Sequence, residues 1–131
     1  MLGIDTNILV RFLVQDDKAQ FDKAHKLIKR EVSAGRRVFV SQLVLLETEW
    51  VLRSRYDINK NEMLATISGL LDATDIQFED EAAIEEALFI WKDSAADFAD
   101  CLIGTQNRKL GCRATATFNA KASKLPGFVT A

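Results

Sequence analysis

Apolar residues recur along this chain at two spacings. Segments in which they return every three or four positions predict amphipathic helices, and short runs of β-branched and aromatic residues predict strands. Interpreted in this way, the chain has predicted helices over residues 7–15, 18–34, 43–56, 59–71, 80–91 and 96–110, and predicted strands over residues 2–4, 37–41, 76–78, 113–117 and 128–130.

The alternation of these strands and helices favours an α/β layer fold with a mostly parallel sheet. The chain has 131 residues with one proline and six glycines, which indicates one domain with short loops. We therefore expect a single domain over residues 1–131. Ligands of parallel sheets bind beyond the carboxyl ends of the strands, so chemistry is expected at Asp5-Thr6-Asn7 and at Thr117-Phe118-Asn119.

Local patterns predict how two of the helices begin and pack. Thr6 or Asn7 is expected to cap the first helix, because both side chains accept hydrogen bonds from free backbone N–H groups. Glu49 precedes Arg53 by four residues and is expected to form a solvated ion pair with it. The helix over residues 43–56 is expected to bury one apolar face, made of Leu43, Leu46, Trp50, Val51 and Ser54.

The composition excludes several classes of protein. Two cysteines, Cys101 and Cys112, do not make a disulfide framework or a zinc pattern. The single His25 argues against histidine-rich metal sites and against most Ser-His or Cys-His designs. No apolar run approaches the roughly 18 residues of a membrane span, and the N-terminus lacks the features of a secretion signal. We therefore expect a cytoplasmic protein with reduced thiols and no membrane partner.

Charge is unevenly distributed, although the net charge is only −2. Residues 72–100 contain ten acids and one base, whereas residues 101–131 contain no acid. Two solvated faces are enough to account for this pattern. The five bases of the second segment are Arg108, Lys109, Arg113, Lys121 and Lys124.

Two acids of the first half stand where a carboxylate needs an explanation. Asp5 ends the first strand, where it can bind a metal together with Thr6 or Asn7, or can cap the next helix. Glu47 lies in the apolar segment 43–52, next to positions that are expected to be buried. It either serves a functional site there or reaches water from the rim of the apolar face.

Asp97 and Asp100 are three residues apart and therefore share one helix face. Asp97 is placed to cap that helix, whereas Asp100 lies too far in and is the stronger ligand candidate. If Asp5, Glu47 and Asp100 converge, carboxylates about 4 Å apart repel by roughly 4 kcal/mol at an effective dielectric constant of about 20. A cation offsets this repulsion, and oxygen ligands without His or Cys suit Mg²⁺ or Mn²⁺.

Taken together, the motifs resemble those of the PIN-domain family, and within it the VapC-type toxins of prokaryotic toxin–antitoxin pairs. The resemblance covers essentially the whole chain. It implies a three-layer α/β domain with a mostly parallel central sheet flanked by helices, and a Mg²⁺- or Mn²⁺-dependent ribonuclease that hydrolyses RNA phosphodiester bonds. It rests on Asp5-Thr6-Asn7, Glu47 in an apolar helix, Asp97-Phe98-Ala99-Asp100 before Cys-Leu-Ile, and Thr117-Phe118-Asn119.

The resemblance also implies roles for single residues. Asp5, Glu47 and Asp100 match the catalytic and metal-binding acids of the family. The five bases of residues 101–131 become candidates for contacts with RNA phosphates, and the family usually forms homodimers that a cognate antitoxin protein inhibits. Supporting roles fall to Asp97, Asn119, Asn7 and Thr117.

One position departs from the family pattern. Many relatives have Asp where this chain has Asn119, and an amide supplies an oxygen ligand but no negative charge. The number of metal ions, one or two, therefore stays open. Two other functions also stay open: a catalytically weak or silent PIN-like domain that acts by binding antitoxin or other proteins, and a nuclease or phosphatase with a substrate other than RNA.

Overall fold

The structure is a computed structural model that describes all 131 residues. The chain forms two compact units, unit 1 over Met1–Glu79 and unit 2 over Asp80–Ala131. Unit 1 contains β1 Leu2–Gly3, α1 Thr6–Leu13, α2 Lys18–Ser33, β2 Val38–Val40, α3 Gln42–Arg55, α4 Lys60–Asp72 and β3 Ile76–Phe78. Unit 2 contains α5 Glu81–Lys92, α6 Phe98–Lys109, β4 Thr115–Thr117, a single 3₁₀ turn at Ala122–Lys124 and β5 Phe128–Thr130.

Unit 1 is built on a three-stranded parallel sheet with the strand order β1-β2-β3. In this sheet Val38 lies opposite Leu2 on one side and opposite Ile76 on the other. Helices connect the successive strands, as parallel pairing requires. Helix α1 packs against α2 and α3, while α2 also contacts β2 and α4 contacts β3. Since β1 ends just before Asp5, the sheet places this carboxylate at the carboxyl end of a strand.

Unit 2 combines a helix pair with a two-stranded parallel sheet. Helices α5 and α6 pack along each other, with the rings of Trp91 and Phe98 5.3 Å apart in a tilted arrangement. Strand β4 pairs with β5 in parallel. The inner face of α5 consists of buried apolar residues, namely Ala83, Ile84, Ala87, Leu88 and Trp91.

The predicted α/β class is confirmed, because every strand pair is parallel and helices follow the strands. The five strands are divided between two sheets, one of three strands and one of two. The expectation of one domain over residues 1–131 stays a prediction. None of the helices combines the length and the apolar character that crossing a bilayer requires.

The prediction for the buried face of α3 is wrong. Leu43 is 79% exposed and Trp50 is 51% exposed, whereas the inner face consists of Leu45, Thr48, Glu49 and Leu52. Residues 43–46 are all apolar, so periodicity alone did not select the face that packs inward. Glu47 is therefore exposed rather than placed among buried neighbours.

Glu49 is also placed differently from the prediction. Its ion pair with Arg53 is present at 2.9 Å between Oε2 and Nε, but Glu49 itself is only 2% exposed. The prediction of a solvated pair is thus wrong for the carboxylate. The side chain of Arg53 is about half exposed, and its guanidinium compensates the buried negative charge of Glu49. A buried charge is costly unless it is paired in this way.

The first helix begins one residue earlier than expected. Asp5, rather than Thr6 or Asn7, is the N-cap of α1, and its Oδ1 accepts the backbone N–H of Ile8 at 3.0 Å. Asp17 caps α2 in the same way through the N–H of Gln20. In both cases the side chain satisfies one N–H that the first helical turn leaves free.

Candidate active site

Asp5 and Glu47 line one cleft in unit 1. The cleft has a volume of about 550 Å³, and Asn7, Arg11 and Arg55 also line it. Neither carboxylate forms an ion pair with Lys or Arg. Two exposed acids that form no ion pair thus share a cleft with the polar side chain of Asn7 and with two arginines.

Asp5 has coordination capacity to spare after capping α1. Only Oδ1 receives the Ile8 N–H. Neither its other oxygen nor the Glu47 carboxylate forms an ion pair. The two explanations for Asp5, a helix cap and a ligand, are therefore compatible, because the cap uses one of its two oxygens.

A network of three side chains holds one wall of this cleft. Arg11 Nη1 donates to Asp16 Oδ1 at 3.0 Å and to the Tyr56 hydroxyl at 3.2 Å, while that hydroxyl donates to Asp16 Oδ2 at 2.9 Å. The hydrogen bond from Tyr56 and the nearby Arg11 guanidinium hold the pKa of Asp16 below its ordinary value. Arg11 is thus engaged, whereas Arg55 lines the same cleft without an ion pair.

Asp97 and Asp100 stand at the start of α6 in unit 2. Asp97 is the N-cap residue, but its side chain makes no capping hydrogen bond, so the carboxylate is free for another role. Asp100 lies in the first helical turn, and burial raises its pKa, assisted by the negative charge of Asp97, while the backbone N–H of Asp97 acts in the opposite direction. Burial thus disfavours the charged form of this carboxylate.

Asn119 has a structural role in the loop that follows β4. Its Oδ1 accepts the backbone N–H groups of Lys121 and Ala122 at 2.9 and 3.0 Å, and its own N–H donates to Thr117 Oγ1 at 3.0 Å. These bonds cap the 3₁₀ turn over residues 122–124. The amide oxygen is therefore already used, which leaves only its remaining lone-pair capacity for a ligand.

The five bases predicted to contact RNA fall into two groups. Arg108 forms an ion pair with Glu86, and Lys109 Nζ donates to both oxygens of Asp80 at 2.7 and 2.8 Å. These contacts engage the two bases that lie on α6. The other three bases are exposed and form no ion pair, namely Arg113, Lys121 and Lys124.

The donor set fits a hard divalent cation in its chemistry. Neither unit by itself gathers three His, Cys, Asp or Glu side chains in a group that could hold a metal ion. The candidate acids are Asp5 and Glu47 in unit 1, and Asp97 and Asp100 in unit 2. All of these are carboxylates, the ligands that Mg²⁺ and Mn²⁺ prefer.

Comparison with known proteins identifies the family. The family model described as PIN domain matches residues 3–127. The chain belongs to the PIN-domain family. The VapC ribonuclease of Aquifex aeolicus is 23% identical over 127 residues, which make up 97% of this chain and 93% of that relative. The solved structure of Mycobacterium tuberculosis VapC20, described as a sarcin–ricin loop cleaving toxin, is 19% identical with a TM-score of 0.41, and the match covers 94% of this chain and 93% of that one.

The resemblance predicted from the motifs is thereby confirmed, and every candidate residue of this PIN domain lies within the matched range. Sequence reasoning missed the other side chains of the unit 1 cleft, above all Trp50 and Arg55. The helical spacing of Trp50 predicts a place on the buried face, whereas the residue is half exposed. A signal was present nonetheless, since Trp50 follows Glu47 by three residues and such pairs are neighbours on a helix surface.

Proposed function

We propose that this PIN-domain protein is a metal-dependent ribonuclease and the toxin of a toxin–antitoxin pair. The observation that carries the proposal is the unit 1 cleft, which Asp5 and Glu47 line together without an ion pair to either acid. The family membership and the curated relative named VapC ribonuclease support the choice of RNA as the substrate. A single family model spans both units, which supports the proposal that they work as one domain.

The proposed ligands of the cation are Asp5, Glu47 and Asp100, carried over from the family by position. Only one oxygen of Asp5 is used by its capping bond. The side chain of the candidate Asp97 makes no capping bond at all, so the carboxylates of Asp5 and Asp97 are both available to contribute negative charge to a cation site. Bound Mg²⁺ or Mn²⁺ would polarise a phosphate oxygen and make a water molecule more acidic. We propose at least one cation for these acids. Asn119 adds no negative charge that would favour a second one.

The protein's own residues then carry the remaining tasks. Asp5 and Asp100 would hold the cation, and Glu47 would accept a hydrogen bond from the attacking water and orient it towards the phosphorus. Asn7 offers an amide that can donate to a phosphate oxygen at the mouth of the cleft. Asn119 and Thr117 keep the loop after β4 in shape through their mutual hydrogen bond.

The substrate and partners follow from the same proposal. Arg113, Lys121 and Lys124 are free to contact RNA phosphates, whereas Arg108 and Lys109 do so only by exchanging their ion pairs. Such contacts position a nucleic acid without reading its sequence. A cognate antitoxin and a second copy of this chain are the proposed protein partners. The exposed free thiol of Cys112 supports a reducing location such as the cytoplasm.

Cleavage of a structured RNA pool by the purified full chain, free of antitoxin, tests this function. The reaction is run with Mg²⁺, with Mn²⁺ and with chelator, for the native protein and for Asp5→Asn. Asn caps a helix as well as Asp does, so this variant keeps the cap and loses the charge. Asp17→Asn is the matched control, because Asp17 caps α2 with the same geometry and does not line the cleft.

The expected result is cleavage that requires a metal, disappears in Asp5→Asn and persists in Asp17→Asn. Equal cleavage by the native chain and Asp5→Asn would contradict the assignment of Asp5. Absence of cleavage by folded native protein under all conditions would instead favour a silent domain that acts by binding proteins.

A further inference from the structure

Trp50 occupies an unusual position for a tryptophan. Its side chain is 51% exposed, and it lines a cleft whose other walls are mainly polar and charged. Water contact with a large apolar ring is unfavourable, and a ring that remains exposed in a cleft is available to stack on a partner. Trp91, by contrast, is buried against Phe98 in unit 2.

Arg55 is the cation of this cleft that remains unengaged. Arg11, the other arginine that lines it, is bound by Asp16 and Tyr56. Arg53, two residues before Arg55, pairs with the buried Glu49. Arg55 lies in the last turn of α3, where a positive charge interacts favourably with the helix dipole. That interaction leaves the guanidinium donors of Arg55 exposed.

Trp50 and Arg55 line the same cleft as the two acids, and Trp50 lies nearer to Glu47. Trp50 is one helical turn from Glu47, or about 4.5 Å along the helix axis, and Arg55 lies about 7.5 Å further on. A flat aromatic ring and an unpaired guanidinium that line one cleft match the two parts of a nucleotide, a base with a π-face and a phosphate. Their negative neighbours, Asp5 and Glu47, are the groups proposed to bind the cation at the reacting phosphate.

We propose that Trp50 and Arg55 form a nucleotide-binding subsite, in which the Trp50 indole stacks on an unpaired base and Arg55 contacts a backbone phosphate. The proposal rests on the function proposed above and adds positioning residues to it. It favours single-stranded over duplex RNA, because the bases of a duplex are stacked on each other and are not available to an indole. RNA is favoured over an apolar protein surface because the cleft combines the ring with a free cation.

Binding is measured apart from cleavage, with native full-chain protein in chelator and a short single-stranded oligouridylate as the probe. Stacking of a base on an exposed tryptophan quenches its fluorescence, which a merely structural role of Trp50 does not produce. Trp50→Leu should weaken binding by roughly 5- to 100-fold, whereas Trp50→Phe should retain most of it. A duplex of equal length should quench less.

The salt dependence of binding tests Arg55. For a single strand, the slope of log K against log salt concentration is negative, and each phosphate contact contributes about −0.7 to it. Arg55→Gln should therefore make the slope less steep by about 0.7. Arg30→Gln is the matched control, because Arg30 is likewise an exposed arginine in the last turn of a helix, α2, and lies outside the cleft. Its slope should equal that of the native chain.

Several outcomes overturn the proposal. These are the absence of RNA binding, equal binding by the native chain and both Trp50 variants, or an unchanged slope in Arg55→Gln. A shift in sedimentation shared by Trp50→Leu and Leu43→Ala, with RNA binding unchanged, would assign the ring to a protein interface. Fluorescence quenching by RNA without cleavage would support the subsite and reject the ribonuclease function. Cleavage that is unchanged in the Trp50 and Arg55 variants would support the ribonuclease function and reject the subsite.

Discussion

Replacing Glu49 by Gln and Glu47 by Gln should separate stability from function on a single helix. The two residues are two positions apart on α3 and undergo the same chemical change. Glu49 is 2% exposed and bound by Arg53, whereas Glu47 is exposed in the cleft and forms no ion pair. Glu49→Gln is therefore expected to lower the free energy of unfolding, and Glu47→Gln to lower the rate of RNA cleavage.

The magnitude for Glu49 follows from its ion pair. A hydrogen bond to a charged partner contributes about 1.5–3 kcal/mol to stability. Arg53 is 48% exposed, so water recovers part of its interaction, and Gln still offers a neutral acceptor. We expect a loss of about 1–2 kcal/mol, which at roughly 4 °C per kcal/mol lowers the Tm by about 4–8 °C. Glu47→Gln should change the stability by less than about 0.5 kcal/mol.

Thermal and urea unfolding followed by circular dichroism measure the stability of both variants. RNA cleavage is measured well below the lower Tm, so that both variants are folded. Loss of a residue that orients the attacking water costs about 10²- to 10⁴-fold in rate, and this decrease is expected for Glu47→Gln alone. The reasoning would be refuted if Glu47→Gln cleaved RNA normally, or if Glu49→Gln were as stable as the native chain.

Three further predictions concern stability. Asn119→Ala removes the acceptor that caps the 3₁₀ turn and should cost about 1 kcal/mol in urea unfolding, whereas Asn119→Asp should keep the cap and the stability. The hydrogen bonds that Asp80 accepts from Lys109 and from the N–H of Ala83 lower its pKa from 3.8, so its ionised form stabilises the fold above that pH. The difference in stability between the native chain and Asp80→Asn, measured at several pH values, should therefore vanish as the pH falls through the lowered pKa. A Cβ at Gly104 would lie 2.9 Å from Phe128 Cζ, so Gly104→Ala should lower the Tm, with a cost of about 1–3 kcal/mol that the smaller side chain of Phe128→Leu relieves in the double variant.

The helices and strands were predictable because their signals are local. An apolar period of 3.6 and the caps at Asp17 and Asn59 each depend on residues within about one turn of one another. The predicted strand over residues 76–78 has the bounds that the structure shows. Asp5 at the end of β1 and the paired Asp97 and Asp100 were predicted as site candidates for the same reason, since position within an element is written in the sequence.

The sequence by itself therefore determined the α/β class and the family, and it named the candidate acids. Only the tertiary structure decided which side of α3 faces inward, because both sides are apolar and the choice depends on how α1 packs against it. The same packing exposed Glu47 and Trp50 in the cleft and buried Glu49. The ion pair of Arg108 with Glu86 and the bond between Arg11 and Tyr56 join residues 22 and 45 positions apart. Contacts of that separation depend on the folded chain as a whole, which no local pattern of residues encodes.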